Sequence, residues 1–117
     1  MVERRSPYEG ILHEVVAHGG VLYLAGIVAE DLSADMEGQA RDVLAQLDAL
    51  LLANGSDRSH VLQAVAYVTD IGEKAGFNAA WRDFFAEAVA PARATIGVAD
   101  LGPGVKLELV ATAAVIS

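Results

Sequence analysis

The chain contains no cysteine. Disulfides, thiolate nucleophiles, cysteine-bound zinc and iron–sulfur clusters are therefore excluded. It also has no stretch near the roughly 18 consecutive apolar residues of a membrane-spanning helix. Arg4 and Arg5 lie close to the start, but no apolar run follows them as it does in a secretory signal. The expected location is the cytoplasm, with no membrane partner. Basic residues are scarce: 8 Lys+Arg stand against 16 Asp+Glu, a formal net charge of −8. An acidic surface repels phosphate, so no nucleic-acid partner is expected. Also missing are a P-loop, a dinucleotide fingerprint, a His-Glu-x-x-His pair and a Gly-x-Ser-x-Gly elbow. No internal repeat, linker or low-complexity tract divides the chain.

What is present is a core. Hydrophobic residues make up 54% of 117 residues, with a mean hydropathy of +0.38. That composition excludes an intrinsically disordered chain. The length suits one domain spanning residues 1–117, since domains cluster at roughly 100–150 residues. Residues 11–18 read as a strand, Gly19-Gly20 as a tight hairpin turn and residues 21–28 as the partner strand. Gly26, inside that second strand, marks a bulge or a close approach. From Asp35 to Ala53, Met36, Ala40, Val43, Leu44, Leu47, Leu50 and Leu51 recur at helical spacing, and Asn54-Gly55 ends the helix. Residues 60–69 form a third strand. Asp70 and Glu73 then mark the start of a second helix, which runs to about Ala88 before Pro91. Its apolar stripe is Phe77, Ala80, Trp81, Phe84, Phe85 and Ala88. Residues 92–98 and 105–116 are the last strands.

The order β-β-α-β-α-β-β predicts an α+β, two-layer sandwich: a mixed sheet with both helices on one face. The last strand alternates Val105, Leu107, Leu109, Ala111, Ala113 and Val115 with Lys106, Glu108, Val110, Thr112, Ala114 and Ile116. The second set is also largely apolar. A two-layer monomer leaves that face wet, and large exposed apolar patches mark interfaces, so an oligomer is expected.

Candidate chemistry is sparse. His13 and His18 fall on opposite faces of one strand and cannot share a metal there, and His60 begins another strand. All three are read as structural. Ser6, Ser33, Ser56, Ser59 and Ser117 lie in loops, caps or termini and suggest no nucleophile. Two residues stand out. Arg93 interrupts an otherwise small and apolar segment, Pro91-Ala92-Arg93-Ala94-Thr95-Ile96-Gly97-Val98. Its fork of donors suits a carboxylate gripped at both oxygens, and an edge-strand charge or a salt bridge is the plainer reading. Glu108 is the single acid of the last strand. The alternative there is a solvated charge paired with Lys106 or an arginine.

The Arg93 segment, followed by Leu101 and then Val105-Lys106-Leu107-Glu108-Leu109, resembles the signature of the Rid family, the YjgF-type reactive intermediate deaminases. The resemblance runs through Pro7-Tyr8, Gly20 to Gly26, Gln39, Leu50 to Gly55, Val65 to Asp70 and Phe77 to Phe85. It implies a chorismate-mutase-like fold and a homotrimer with active clefts between subunits. It also implies hydrolysis of 2-imino acids and enamines such as 2-aminoacrylate to 2-keto acids and ammonia, with no cofactor and no metal. Carried over, Arg93 holds the substrate carboxylate, and Glu108 orients or activates water or relays a proton to the leaving amine. Gly26 and Thr95 offer backbone groups to the ligand. Tyr8 lines the pocket or anchors the N-terminus. Asn78 is a cleft-side or structural residue.

Some positions depart from the family pattern. Its Ser-Gly-Gln is Ala25-Gly26-Ile27, its Gln after Pro-Tyr-x is Gly10, and the second Glu of its last strand is Val110. These changes imply a more apolar pocket. Three functions follow as expectations: an imine deaminase, a non-catalytic trimer that binds small carboxylates and regulates, or an aminoacrylate-type hydrolase of a catabolic pathway.

Overall fold

The computed structural model describes residues 1–87 and 89–116. Ala88, at the expected end of the second helix, and Ser117 lie outside the described residues. Seven strands form one sheet: β1 (Glu3–Tyr8), β2 (Leu12–His18), β3 (Val21–Leu24), β4 (Ile27–Val28), β5 (Val61–Val68), β6 (Ala92–Gly97) and β7 (Leu107–Ala114). Their order is β1-β2-β3-β7-β5-β6, with β4 pairing β7 beside β3. All pairs are antiparallel except β5 with β6, which are parallel and joined through the second helix. Helices α1 (Met36–Ala53) and α2 (Lys74–Phe84) pack on one face. The shortest dimension of the molecule, 21 Å, is one sheet plus one helix layer. The α+β two-layer architecture expected from the sequence is the one found.

Alternation builds the core. On β7, Leu107, Leu109, Ala111 and Ala113 are buried while the residues between them are not. On β5, Ala64, Ala66 and Val68 point the same way. They meet Met36, Ala40, Val43, Leu44, Leu47 and Leu51 of α1 and Phe77, Ala80 and Trp81 of α2. Asp35 caps α1 by accepting from the Gly38 amide at 2.9 Å. At the other end Gly55 takes φ +81°, and the Ser56 amide donates to the Leu51 carbonyl, which closes a Schellman turn that only glycine enters without strain.

Three details differ from the sequence expectation. First, β1 is an unforeseen strand. It is polar and exposed, carries Pro7 and bends at Ser6 (φ 54°), so it shows no alternation. As an edge strand it forms by backbone pairing to β2, not by burial. Second, the run 21–28 is two strands separated at Ala25-Gly26. Third, α2 begins at Lys74, after a 3-10 turn at Ile71–Glu73 capped by Asp70, and ends at Phe84. Arg58 stops it there: its Nη1 donates to the Phe84 carbonyl at 3.0 Å, and its guanidinium lies 4.0 Å from the centre of the Phe84 ring.

One buried side chain ties the loops at one end of the sheet. Gln39 is fully buried. Its Nε2 donates to the carbonyls of Ala34 (3.1 Å) and Gly104 (2.9 Å), and its Oε1 accepts from the Lys106 amide (3.0 Å). The amide thus joins the start of α1 to the loop that leads into β7. Gln39→Leu leaves those part-buried groups without their partner, each costing about 1 kcal/mol or more. We expect a loss of about 3 kcal/mol, read as a lower urea midpoint with an unchanged slope.

Candidate active site

Glu108 sits on β7, paired with Val28 of β4 on one side and Tyr67 of β5 on the other. Its side chain is on the face away from the helices, half-buried. Gly26 is what makes room for it. A Cβ at residue 26 would collide with the Glu108 carboxylate and lie 2.8 Å from its Cδ. The glycine expected to mark a close approach therefore admits this carboxylate, and the strand breaks beside it. Because β2 pairs with β3 and not with β4, the sheet parts there. A cavity of about 540 Å³ opens, lined by Tyr8, Leu12, Glu14, Gly26, Val105 and Glu108 among others. Lys106 is not the partner of Glu108; its ammonium lies 3.8 Å from Glu73 instead.

Of the departing positions, only Ala25 lines this cavity. Ile27 is a core residue at 8% exposure that touches a smaller neighbouring cavity of about 110 Å³, which Gly26 also lines. Gly10, at φ +68°, follows Glu9 at φ 52° in the tight turn between β1 and β2, closed by the Ile11 amide donating to the Tyr8 carbonyl at 3.0 Å. That turn carries Tyr8 to the cavity edge. The Tyr8 phenol is held protonated above its ordinary range by a hydrogen bond with Glu9, then by the charges of Glu9 and, more weakly, Glu14.

Arg93 is elsewhere. It pairs with the buried Ala64 across β5–β6, so its side chain is on the helix face of the sheet. There the guanidinium lies 4.7 Å from the ring centre of Phe77 and 5.0 Å from that of Trp81. Among the described residues it has no carboxylate partner. Burial, followed by the nearby charge of Arg82, lowers its pKa. The aromatic bed holds the cation without neutralising it. Thr95, two residues on and on the same face, has a buried Oγ1 with no hydrogen-bond partner. Asn78 follows Phe77 on α2, half-buried, and does not line the Glu108 cavity.

One chain therefore brings Tyr8, Gly26 and Glu108 together, and Arg93 with Thr95 together, but on opposite faces of the sheet. Sequence reading missed Glu14, which lines both cavities that reach Gly26. Its signal is weak: an acid two residues before Val16 on an ordinary strand. Elsewhere, the groove between the helices has its charges paired, Arg41 with Glu37 and Asp83, and Arg58 with Asp48. Among the described residues no cluster of His, Asp or Glu has the arrangement of a metal site, and no helix is long and apolar enough to cross a membrane.

Comparison with known proteins fits this geometry. Residues 4–115 match the family described as endoribonuclease L-PSP. The RutC family protein YoaB of Escherichia coli is 37% identical over 102 residues, 87% of this chain and 89% of that one. The chain belongs to the Rid (YjgF) family. A Salmonella typhimurium relative named 2-iminobutanoate/2-iminopropanoate deaminase is 38% identical over 90 residues, covering 75% of this chain and 67% of its own. A YjgF-family crystal structure from Neisseria meningitidis superposes with a TM-score of 0.90 at 32% identity, covering 100% of this Rid chain and 97% of that one.

The Gly26–Glu108 contact makes a prediction. Gly26→Ala displaces the far end of a flexible side chain, not backbone. Stability is expected to fall by less than about 1 kcal/mol, while a crystal structure shows the Glu108 carboxylate swung out of the cavity. An unmoved carboxylate would contradict the packing described.

Proposed function

We propose that this Rid protein hydrolyses reactive 2-imino acids and their enamine tautomers to 2-keto acids and ammonia, in clefts built by two copies of the chain. Arg93 carries the reading. It is a half-buried guanidinium on two aromatic rings with no carboxylate partner among the described residues. Its planar fork fits a substrate carboxylate at both oxygens. The acid that the chemistry needs, Glu108, faces the other side of the sheet in the cavity with Tyr8 and Gly26. A small substrate meets both only where Arg93 of one protomer adjoins the cavity of another.

The open sheet face supports that assembly. Val16, Tyr23, Val65, Tyr67, Val110 and Ile96 lie on it, with Tyr23 at 50% and Ile96 at 44% exposure. A homotrimer packed through this face covers it and repeats the cleft three times. The Salmonella relative's name supports the substrate class. The family description as an endoribonuclease fits less well with a net charge of −8, which opposes a polyanionic substrate.

In the cleft, Arg93 binds the carboxylate and draws electron density from C2. Water attacks C2. Its oxygen bonds to carbon, the imine π pair moves to nitrogen, and Glu108 takes the water proton. Glu108 then returns that proton to nitrogen. The C–N bond breaks as the C=O bond forms, and the hydroxyl proton leaves with ammonia as ammonium. Gly26 and Thr95 supply backbone groups, Tyr8 walls the cavity, and Asn78 shapes the α2 side. Water is the nucleophile and nitrogen the leaving group, so the proposal calls for no cofactor.

The test generates imino acids from a panel of amino acids with an amino-acid oxidase, with semicarbazide as the competing trap. The protein suppresses semicarbazone formation, and Arg93→Ala does not. Glu108→Gln slows suppression by about a hundredfold or more. Binding of 2-keto acids without any suppression would overturn the enzyme reading in favour of a carboxylate sensor. The shared cleft has its own check. Mixed and reassembled Arg93→Ala and Glu108→Gln chains recover about a quarter of full activity, because only that share of clefts pairs an intact Arg93 with an intact Glu108. A cleft within one chain recovers none.

A further inference from the structure

We propose that Glu14 receives the positively charged nitrogen of the ligand beside Glu108, so that the cleft prefers carboxylates bearing a cationic nitrogen over their keto counterparts. This rests on the cleft reading above and assigns a residue that the sequence does not single out.

The placement is specific. Val16 pairs with Tyr23, and Tyr23 with Thr112, so Glu14, two residues before Val16, shares the sheet face of Thr112 and Glu108. Its carbonyl accepts from the Ala25 amide at 2.9 Å, which anchors its backbone next to Gly26 and leaves the carboxylate free. It lines both cavities that reach Gly26. Among the described residues it takes part in no ion pair. The side-chain amide that lines the cavity, Gln46 Nε2, is already committed to the Val28 carbonyl at 2.9 Å and Asp42 at 2.8 Å. Tyr8 feels the charge of Glu14 across the cavity.

Two carboxylates thus face one cavity that Leu12, Val28, Leu101 and Val105 wall with hydrocarbon. Like charges in such a setting repel unless a cation joins them. Arg93 of the other copy is occupied by the ligand carboxylate. The remaining cation is the one the ligand itself brings, a protonated imine. Glu108 then exchanges protons while Glu14 holds the charge on nitrogen and keeps C2 electrophilic. The keto-acid product has no such charge and meets two uncompensated carboxylates, which favours its release.

The probes are L- or D-alanine, which carry an ammonium beside a carboxylate, and pyruvate, which lacks it. Both are titrated calorimetrically into the assembled protein. Wild type binds alanine more tightly than pyruvate. Glu14→Gln weakens alanine by about tenfold, the size of one lost hydrogen bond to a charged group, and leaves pyruvate unchanged or tighter. Glu14→Asp keeps part of the preference. Equal binding of the two ligands by wild type, no binding of either, or equal weakening of both by Glu14→Gln overturns the proposal. The preference is read without turnover. A wild type that shows it yet hydrolyses no imine leaves Glu14 in place and removes the deaminase reading, and the reverse result does the opposite.

Discussion

The two-residue alternation of β5 and β7 governs this molecule. These central strands make the most extensive contact in the fold. One set of side chains, Ala64, Ala66, Val68, Leu107, Leu109, Ala111 and Ala113, is buried under the helices. The other set, which includes Val65, Tyr67, Glu108 and Val110, faces outward. Shifting the register by one residue would exchange core and surface along both strands, so the register is firmly fixed. The same parity reaches β6 through its pairing with β5 and sends Arg93 to the helix side while Glu108 goes to the other. The separation of cation and acid is thus a consequence of how the core is made. A site that uses both, as proposed, has to cross a subunit boundary, and the apolar outward face is the surface the proposed trimer would cover.

How much of this is legible in the sequence varies with the physics of each element. The helices and central strands carry apolar periodicity, and Gly19-Gly20, Asp35 and Gly55 carry turn and cap chemistry, so they are readable from one chain. β1 is not, because a polar edge strand forms from backbone pairing and leaves no periodic trace. The break at Gly26 is announced by the glycine, but its cause, the carboxylate of a residue 82 positions away, is a tertiary fact. Arg93 and Glu108 are conspicuous as lone charges on apolar strands. That they face opposite ways depends on the register between β5, β6 and β7, which strand alternation alone does not supply. Glu14 is an ordinary acid until the parting of β2 from β4 gives it a cavity to face.

The charge balance fits a particular kind of ligand. A net charge of −8 repels anions at a distance. A polyanion pays that repulsion at every phosphate, whereas a protonated 2-imino acid is a zwitterion and pays almost none. Close in, its two charges need two different environments. Arg93 offers one, a cation held by aromatic faces instead of acids, so its charge stays available. An aspartate or glutamate in place of Phe77 and Trp81 would fix the guanidinium equally well and quench it. In the proposed reading the cavity around Gly26 offers the other, two carboxylates beside hydrocarbon walls.

The loss of polar side chains around Gly26 bears on what that cavity reads. Ile27 belongs to the core, and Gly10 to a turn whose backbone demands glycine, so neither removes a group from the main cavity. Ala25 does line it, and there a hydroxyl would have offered a donor next to Glu108. Without that donor, and with Gln46 tied to Val28 and Asp42, the side-chain polar groups left facing the cavity are chiefly the two carboxylates and the Tyr8 phenol. Acceptors then outnumber donors. In the proposed reading such a surface discriminates by what the ligand donates: an iminium or ammonium N–H finds partners, and a ketone oxygen finds few side-chain donors. In the proposed reading, Ala25 therefore sharpens the cavity's preference for nitrogen as it removes a hydrogen bond to oxygen.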